Sequence, residues 1–418
     1  MKKSINNLVN HFSLSGFSSI INFLAILYFS IYYTPEELAF WGAYLVITPI
    51  ILVLNLSVFS ELSLIEKKKS DVFIFVYNLF FISFILSILF ILIFYFIIDF
   101  TPYNKFYKIN SEKLSFILIL IIYIFFSTFK NLQSSFLIRF SKFKTIGKLN
   151  FLRAIFFLFF GIFFSYKDFF FNKIISAFIF SELLVFLYSV SKNDIKGFKF
   201  LNFFPKKLII FLRYLKSFSI WSIGSYLFNT LTYLLIYNYI LQNFSKTEAG
   251  IYTALNRIIL APIQLINKIV GDIFVSQISK SIRVSFSPIN TFNNFSKLLI
   301  FLSFIIFMVG FFIFPHLYNK LNFLSFVETY YPYYKPFIIY GSFMLISSTL
   351  SRYLIVSKNF KTDFIWQIIV FSSIFILCQQ SNLSFETFLF YFSILFSILY
   401  CIYYAMIRNR VKKISKLV

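Results

Sequence analysis

The sequence predicts an all-α, polytopic membrane fold of about 12 transmembrane helices, set as two parallel six-helix lobes around a central cavity. Three observations predict it. Apolar runs of roughly 20 residues, the length that crosses a bilayer as a helix, recur about every 30 residues. Hydrophobic residues are 59% and charged residues 13%, against about 25% charged in a soluble domain, and mean hydropathy is +0.82. The cations gather on alternate loops, as they do where loops alternate between cytoplasm and exterior.

In order, the spans fall at 11–33, 40–60, 72–98, 114–136, 148–165, 172–190, 217–241, 249–279, 297–315, 333–355, 363–380 and 386–407. The start, Met1-Lys2-Lys3, has the basic look of a signal peptide. It lacks a small-residue cleavage site and its apolar stretch runs too long, so it reads as an uncleaved first helix. With both termini in the cytoplasm, the basic segments lie inside and acidic residues such as Glu36, Glu37, Glu112, Glu248 and Glu328 lean outward. The formal charge of +24 is therefore a topology signal; no nucleic-acid partner is expected. The lobes are 1–190 and 217–418, the second with a basic cytoplasmic tail, and 191–216 is a basic cytoplasmic linker. Cys378 and Cys401 have no metal-ligand spacing and make no disulfide framework. No cofactor motif is present, and no loop is long enough for a soluble catalytic domain.

The two lobes echo each other. Glu37 precedes Gly42-Ala43-Tyr44 at the start of span two, and Glu248 precedes Gly250-Ile251-Tyr252 at the start of span eight. After span four comes Ser141-Lys142-Phe143-Lys144-Thr145, and after span ten Ser357-Lys358-Asn359-Phe360-Lys361-Thr362. Both echoes fall at equivalent places in the topology. An even number of spans per half makes the repeat parallel, an arrangement suited to alternating access around a midplane site.

Polar stripes on apolar helices mark contact with protein or water, because the lipid-facing side must be apolar. Span eight carries Thr253, Arg257, Gln264, Lys268 and Asp272 within about a 100° arc. Lys268 and Asp272 are spaced to pair. Span seven aligns Ser219, Ser222, Tyr226, Asn229 and Tyr233; span one His11, Ser15, Ser18 and Asn22; span two Tyr44, Thr48, Asn55 and Glu61. Single hydroxyls and amides in membrane helices commonly bond their own backbone or pack helices together. Ionisable groups are more telling, since each is costly in lipid. The intramembrane cations read here are Arg153, Arg257 and Lys268, against Glu61, Glu182 and Asp272. Glu61 and Arg153 lie near cytoplasmic span ends, where snorkelling accounts for them equally well. Glu182 is deeper, and two readings stand: a proton carrier, or half of a structural ion pair. A guanidinium in a polar cavity suits phosphate or acidic sugar, because its fork takes two oxygens at once. The candidate substrate-binding residues are Arg257, Lys268, Gln264, Asn229, Asn22, Asn55 and Arg153. The candidate coupling carboxylates are Glu182, Asp272 and Glu61.

On these features the chain resembles the multidrug/oligosaccharidyl-lipid/polysaccharide exporter superfamily, and within it the bacterial O-antigen (Wzx-type) flippases. The resemblance covers essentially the whole chain. It is carried by Glu37 with Gly42-x-Tyr44, by Glu248-Ala249-Gly250-Ile251-Tyr252, and by the Arg139-Phe140 basic loop. In such exporters a basic residue is common just after the second of these elements, and Arg257 occupies that place. The resemblance implies translocation of undecaprenyl-diphosphate-linked oligosaccharide across the inner membrane. Its partners would be the lipid-linked oligosaccharide and the lipid bilayer, with O-antigen polymerase machinery as a further candidate. Other lipid-linked glycans, capsular or teichoic, fit the same pattern. A membrane-embedded polymerase or transferase fits less well: no Asp-x-Asp, paired His or Gly-rich nucleotide loop is present, nor a large outside loop with arginines.

Overall fold

The computed structural model describes residues 2–54, 69–97, 99, 101, 110–139, 142–166, 172–191, 220–283, 287–313, 331–357, 359–380 and 383–415; of 2–15 and 69–78 it describes the backbone only. Among these residues the chain is all-helical. The first half holds α1 (Lys2–Tyr32), α2 (Pro35–Leu54), α3 (Lys69–Ile97), α4 (Asn110–Arg139), α5 (Phe143–Ser165) and α6 (Lys173–Ser191). The second holds α7 (Ile220–Asn243), α8 (Lys246–Arg283), α9 (Ile289–Met308), α10 (Tyr334–Val356), α11 (Phe360–Cys378) and α12 (Phe385–Ser415). Each predicted span overlaps one of these helices within the described residues, and this is a polytopic membrane protein. Seven helices (α2, α3, α4, α5, α9, α11 and α12) are long and apolar enough to cross a bilayer on length and composition alone. Three of the others, α7, α8 and α10, give up apolar positions to polar groups described below.

Helix starts explain the sequence echoes. The Thr34 N–H donates to Glu37 Oε2 at 3.0 Å and the Glu37 N–H to Thr34 Oγ1 at 3.3 Å. The Ser245 N–H donates to Glu248 Oε2 at 2.8 Å and the Glu248 N–H to Ser245 Oγ at 3.1 Å. Both are capping boxes, in which side chains satisfy the N–H groups that a helix start leaves bare. The two glutamates therefore lie inside the first turns of α2 and α8, which begin earlier than the apolar runs suggest. The second echo is also a shared turn. The Lys142 N–H reaches Leu137 O at 2.9 Å and the Asn359 N–H reaches Leu354 O at 2.8 Å. Backbone angles at Lys142 (φ −84°, ψ 50°) and Asn359 (φ −94°, ψ 51°) nearly coincide.

The chain divides into two compact units, Met1–Ser219 and Ile220–Val418. In the N-terminal unit α1 packs most extensively on α5, which also carries α6. Phe29 is wholly buried, edge-on to Tyr33, Trp41 and Phe157. Its ring rests on Gly161 of α5, where a methyl group would sit 2.1 Å from Phe29 Cε1. The Tyr33 hydroxyl closes the same contact by donating to Gly161 O at 2.6 Å. In the C-terminal unit the matching pair is α7 with α11, and the glycine has changed sides: Gly224 of α7 receives the Phe364 ring. Tyr340 of α10 meets Phe392, Phe396 and Tyr400 of α12. Large exposed apolar side chains such as Leu114, Leu118 and Ile122 on α4 form stripes suited to lipid.

Gly161→Ala should destabilise by about 1–3 kcal/mol through overpacking, despite the better helix propensity of Ala. Gly16→Ala is the control: nothing lies within 4 Å of its added methyl, so it should be neutral or stabilising. Melting temperatures of the two variants in detergent measure the difference.

Candidate functional site: polar centres in the two helical units

The C-terminal unit encloses a cavity of about 310 Å³ between α7, α8, α10, α11 and α12. One wall is the polar face of α7: Ser222, Ser225, Tyr226, Asn229 and Tyr233. Helix α8 contributes Gln264 and Asn267, and α11 contributes Asp363, Trp366 and Gln367. Asn267 ties α8 to α10, donating from Nδ2 to Ser348 Oγ at 2.6 Å and accepting at Oδ1 from Thr349 Oγ1 at 2.9 Å. At the α11 wall, Asp363 Oδ2 accepts from the Ser225 hydroxyl and Oδ1 from the Tyr403 hydroxyl. Trp366, one turn along α11, stacks on the Tyr403 ring at 4.3 Å and 5°. That stack holds the phenol on the carboxylate. An ionised carboxylate has about four acceptor positions, and these hydroxyls fill two of them. Asp363 lines the cavity, and its remaining acceptor capacity can receive a proton, a cation or a hydroxyl-bearing ligand.

The N-terminal unit holds a charged centre instead. Arg153 of α5 donates from Nε to Glu182 Oε2 at 2.8 Å, from Nη1 to Asn150 Oδ1 at 3.1 Å and from Nη2 to Gln133 Oε1 at 3.0 Å. Lys130 Nζ lies 3.5 Å from Glu182 Oε1. Glu182 sits in the middle of the buried face of α6, its side chain only 4% exposed. Burying a carboxylate so far from water is tolerable only with such partners. The cluster links α4, α5 and α6 at one level.

The positions expected from sequence divide between these centres. Asn229 and Gln264 line the C-terminal cavity, with Ser222, Tyr226 and Tyr233 of the same predicted stripe. Arg153 and Glu182 meet each other in the N-terminal centre. Arg257 is half-buried on α8, outside the lining of the C-terminal cavity, and Asn22 is half-buried on α1. Lys268 and Asp272 are placed by backbone only, on α8, and their expected pairing lies outside the described residues, as do Asn55 and Glu61 and the side chain of His11. Two members of the expected stripes turn inward. Tyr44 is wholly buried and donates to Phe116 O at 2.8 Å, and Thr253 bonds its own helix at Ala249 O. A hydroxyl that finds a backbone acceptor in its own bundle has no need of a cavity.

Lys130, Gln133 and Asn150 of the N-terminal centre, and Ser225, Asn267, Asp363, Trp366 and Tyr403 of the C-terminal cavity, escaped the sequence reading. Lys130 lies well inside a predicted span and carried a signal on that ground. Asp363 follows directly on the repeated Phe-Lys-Thr turn, where the first half has Ile146; a charge where the other repeat has an apolar residue was the available clue.

The model of one family, described as polysaccharide biosynthesis protein, matches residues 33–319. This chain belongs to that family. Among functionally curated proteins, none matches it in sequence. Solved structures do match this chain over nearly its full length. An inward-facing multidrug-resistance MATE transporter of the MOP superfamily aligns at 12% identity and TM-score 0.69, covering 98% of this chain and 99% of its own. The lipid II flippase MurJ, inward closed, aligns at 18% identity and TM-score 0.73, covering 97% and 87%. A MOP-superfamily transporter from Pyrococcus furiosus aligns at 11% identity and TM-score 0.64, covering 97% and 94%. At such identities the likeness is one of fold: the chain shares the helical architecture of these transporters.

Proposed function

We propose that this protein is a flippase. It carries undecaprenyl-diphosphate-linked O-antigen repeat units from the cytoplasmic to the periplasmic leaflet of the bacterial inner membrane, by alternating access. The observation that carries this reading is the conjunction of a polysaccharide-biosynthesis family match over residues 33–319 with a transporter fold that MurJ, a lipid II flippase, shares. Both termini lie in the cytoplasm, 191–216 links the lobes, and no chemical step is performed on the glycan. A capsular or teichoic repeat unit on the same kind of carrier is the alternative cargo.

Transport against a gradient needs a coupled ion or potential, and a carboxylate in a polar cavity is a means to take one up. Asp363 is the coupling carboxylate we favour, since it lines the C-terminal cavity and its two hydroxyl partners leave acceptor capacity unfilled. Arg257 contacts the anionic part of the cargo. Arg257→Ala should abolish transport without loss of membrane insertion, and Arg257→Lys should restore it only in part, because an ammonium lacks the planar fork. Leaflet assays on each variant, normalised to membrane-inserted protein, test this; full activity of Arg257→Ala removes it from the mechanism.

The direct test is deletion of the gene in its native host, with lipid-linked glycan fractionated by leaflet and a plasmid copy as control. Intact oligosaccharide trapped on the cytoplasmic face is expected, and its structure names the cargo. Repeat units that reach the periplasm but stay unpolymerised would point to an enzyme and overturn the flippase reading.

A further inference from the structure

The cavity of the C-terminal unit has the chemistry of a carbohydrate subsite. We propose that it receives one sugar ring, neutral or amine-bearing, held by Asn229, Gln264 and Gln367 against the aromatic wall at Trp366. That the ring belongs to a lipid-linked cargo rests on the flippase reading.

Hydrogen-bonding capacity points there first. Asn229 of α7, Gln264 of α8 and Gln367 of α11 line the cavity, and their side-chain amides have no hydrogen-bond partner among the described residues. They are therefore available to a ligand. Asn267 is the contrast: its amide is spent tying α8 to α10. Each amide offers donor hydrogens and an acceptor oxygen, and each sugar hydroxyl both donates and accepts. Free amides from three helices can satisfy a polyhydroxylated ring from several sides at once. An organic cation would cover the same amides without returning hydrogen bonds, at a cost for each.

Position agrees. Asn229 and Gln264 fall at the midpoints of the predicted spans 217–241 and 249–279. Polar side chains at that depth are costly unless they face protein or a water-filled space, and bundle transporters hold substrate at that level. Gln264 is exposed, so the cavity opens at α8.

Size and charge narrow the ligand. A volume of about 310 Å³ is at the lower end for small-molecule sites, enough for one ring and too little for an oligosaccharide. Trp366 and Tyr403, stacked at 4.3 Å and 5°, form a flat aromatic pair in the wall. The electron-rich face of such a ring attracts the weakly positive C–H face of a sugar. Asp363 already accepts from the Ser225 and Tyr403 hydroxyls, the kind of group a sugar presents. Among the described side chains that line the cavity it is the only charged one, and an ionised carboxylate repels an acidic substituent.

The test uses the full chain in nanodiscs, with the methyl glycosides of N-acetylglucosamine, glucosamine and glucuronic acid as probes. Saturation-transfer NMR on the natural protein reads binding without any substitution, so it decides the matter even where a variant fails to fold. The neutral and amine-bearing glycosides should bind in the millimolar range of a single ring, and the glucuronide about tenfold more weakly. Asn229→Leu and Gln367→Leu should each weaken neutral binding by up to about tenfold, the scale of one lost hydrogen bond. Asp363→Asn should bring the glucuronide to within severalfold of the neutral sugar. The protein has three tryptophans, so Trp41→Phe with Trp221→Phe leaves Trp366 as the sole reporter, and its emission should shift as the neutral glycoside binds. Binding of none of the glycosides, or binding unchanged in both Asn229→Leu and Gln367→Leu, overturns the subsite. Binding of tetraphenylphosphonium in their place makes this an organic-cation site and overturns it equally. Equal affinity for the glucuronide overturns the selection against acids. Leaflet trapping on gene deletion with no glycoside bound sinks the subsite alone, and glycoside binding without trapping sinks the flippase reading alone.

Discussion

Asp363→Asn should reduce transport by about 5–150-fold, the range of a lost coupling free energy of 1–3 kcal/mol, while the protein still folds and inserts. Asparagine keeps the shape of aspartate and can still accept from one hydroxyl and donate to the other, so the Ser225 and Tyr403 contacts survive in altered form. What it removes is the negative charge facing the cavity. Asp363→Glu keeps the charge and displaces it by one methylene, and should retain part of the activity. A transport assay in proteoliposomes, with an imposed ion gradient and with the gradient collapsed, reads the effect. The sharp expectation is that Asp363→Asn loses the gradient-driven component and keeps downhill exchange. Gradient-driven transport at the natural rate would remove Asp363 from coupling.

The second large effect is on stability. Arg153→Ala should cost about 3–5 kcal/mol, because removing one partner of a buried pair strands the other's charge. The Lys130 contact at 3.5 Å places the expected loss toward the lower end. Asn150 and Gln133 lose a donor as well. The double variant Arg153→Met, Glu182→Leu should be markedly less damaging than Arg153→Ala, since apolar isosteres can replace a buried pair at little cost. Melting temperatures of the single and double variants in one detergent decide this. Equal losses in both would mean that the side chains matter as packing volume, with no net role for their charges.

Both effects arise where helices distant in sequence meet, and this marks what could be read without coordinates. The helices of the described residues were legible because insertion is a local property: a run of about 20 apolar residues is long enough to span, whatever its neighbours do. The internal echo was legible too, since the capping boxes at Thr34–Glu37 and Ser245–Glu248 are fixed by residues three apart. The polar wall of α7 followed from helical period alone, and Asn229 lies on it with its predicted neighbours.

The partnerships were not legible. Arg153 and Glu182 are 29 residues apart, Ser225 and Asp363 are 138 apart, and Tyr403 is a further 40 beyond Asp363. Helical phase says which way a side chain points and leaves open which helix stands opposite. That choice rests on close approaches such as Phe29 on Gly161 and Phe364 on Gly224, where the fit of one ring to one missing side chain selects the neighbour. Hydropathy along the chain therefore sufficed for the all-helical, polytopic character of the fold. Whether a given charge became a paired group, as Glu182 did, or a cavity group, as Asp363 did, was settled by packing, because its energy depends on the partners and water that three-dimensional contact brings to it.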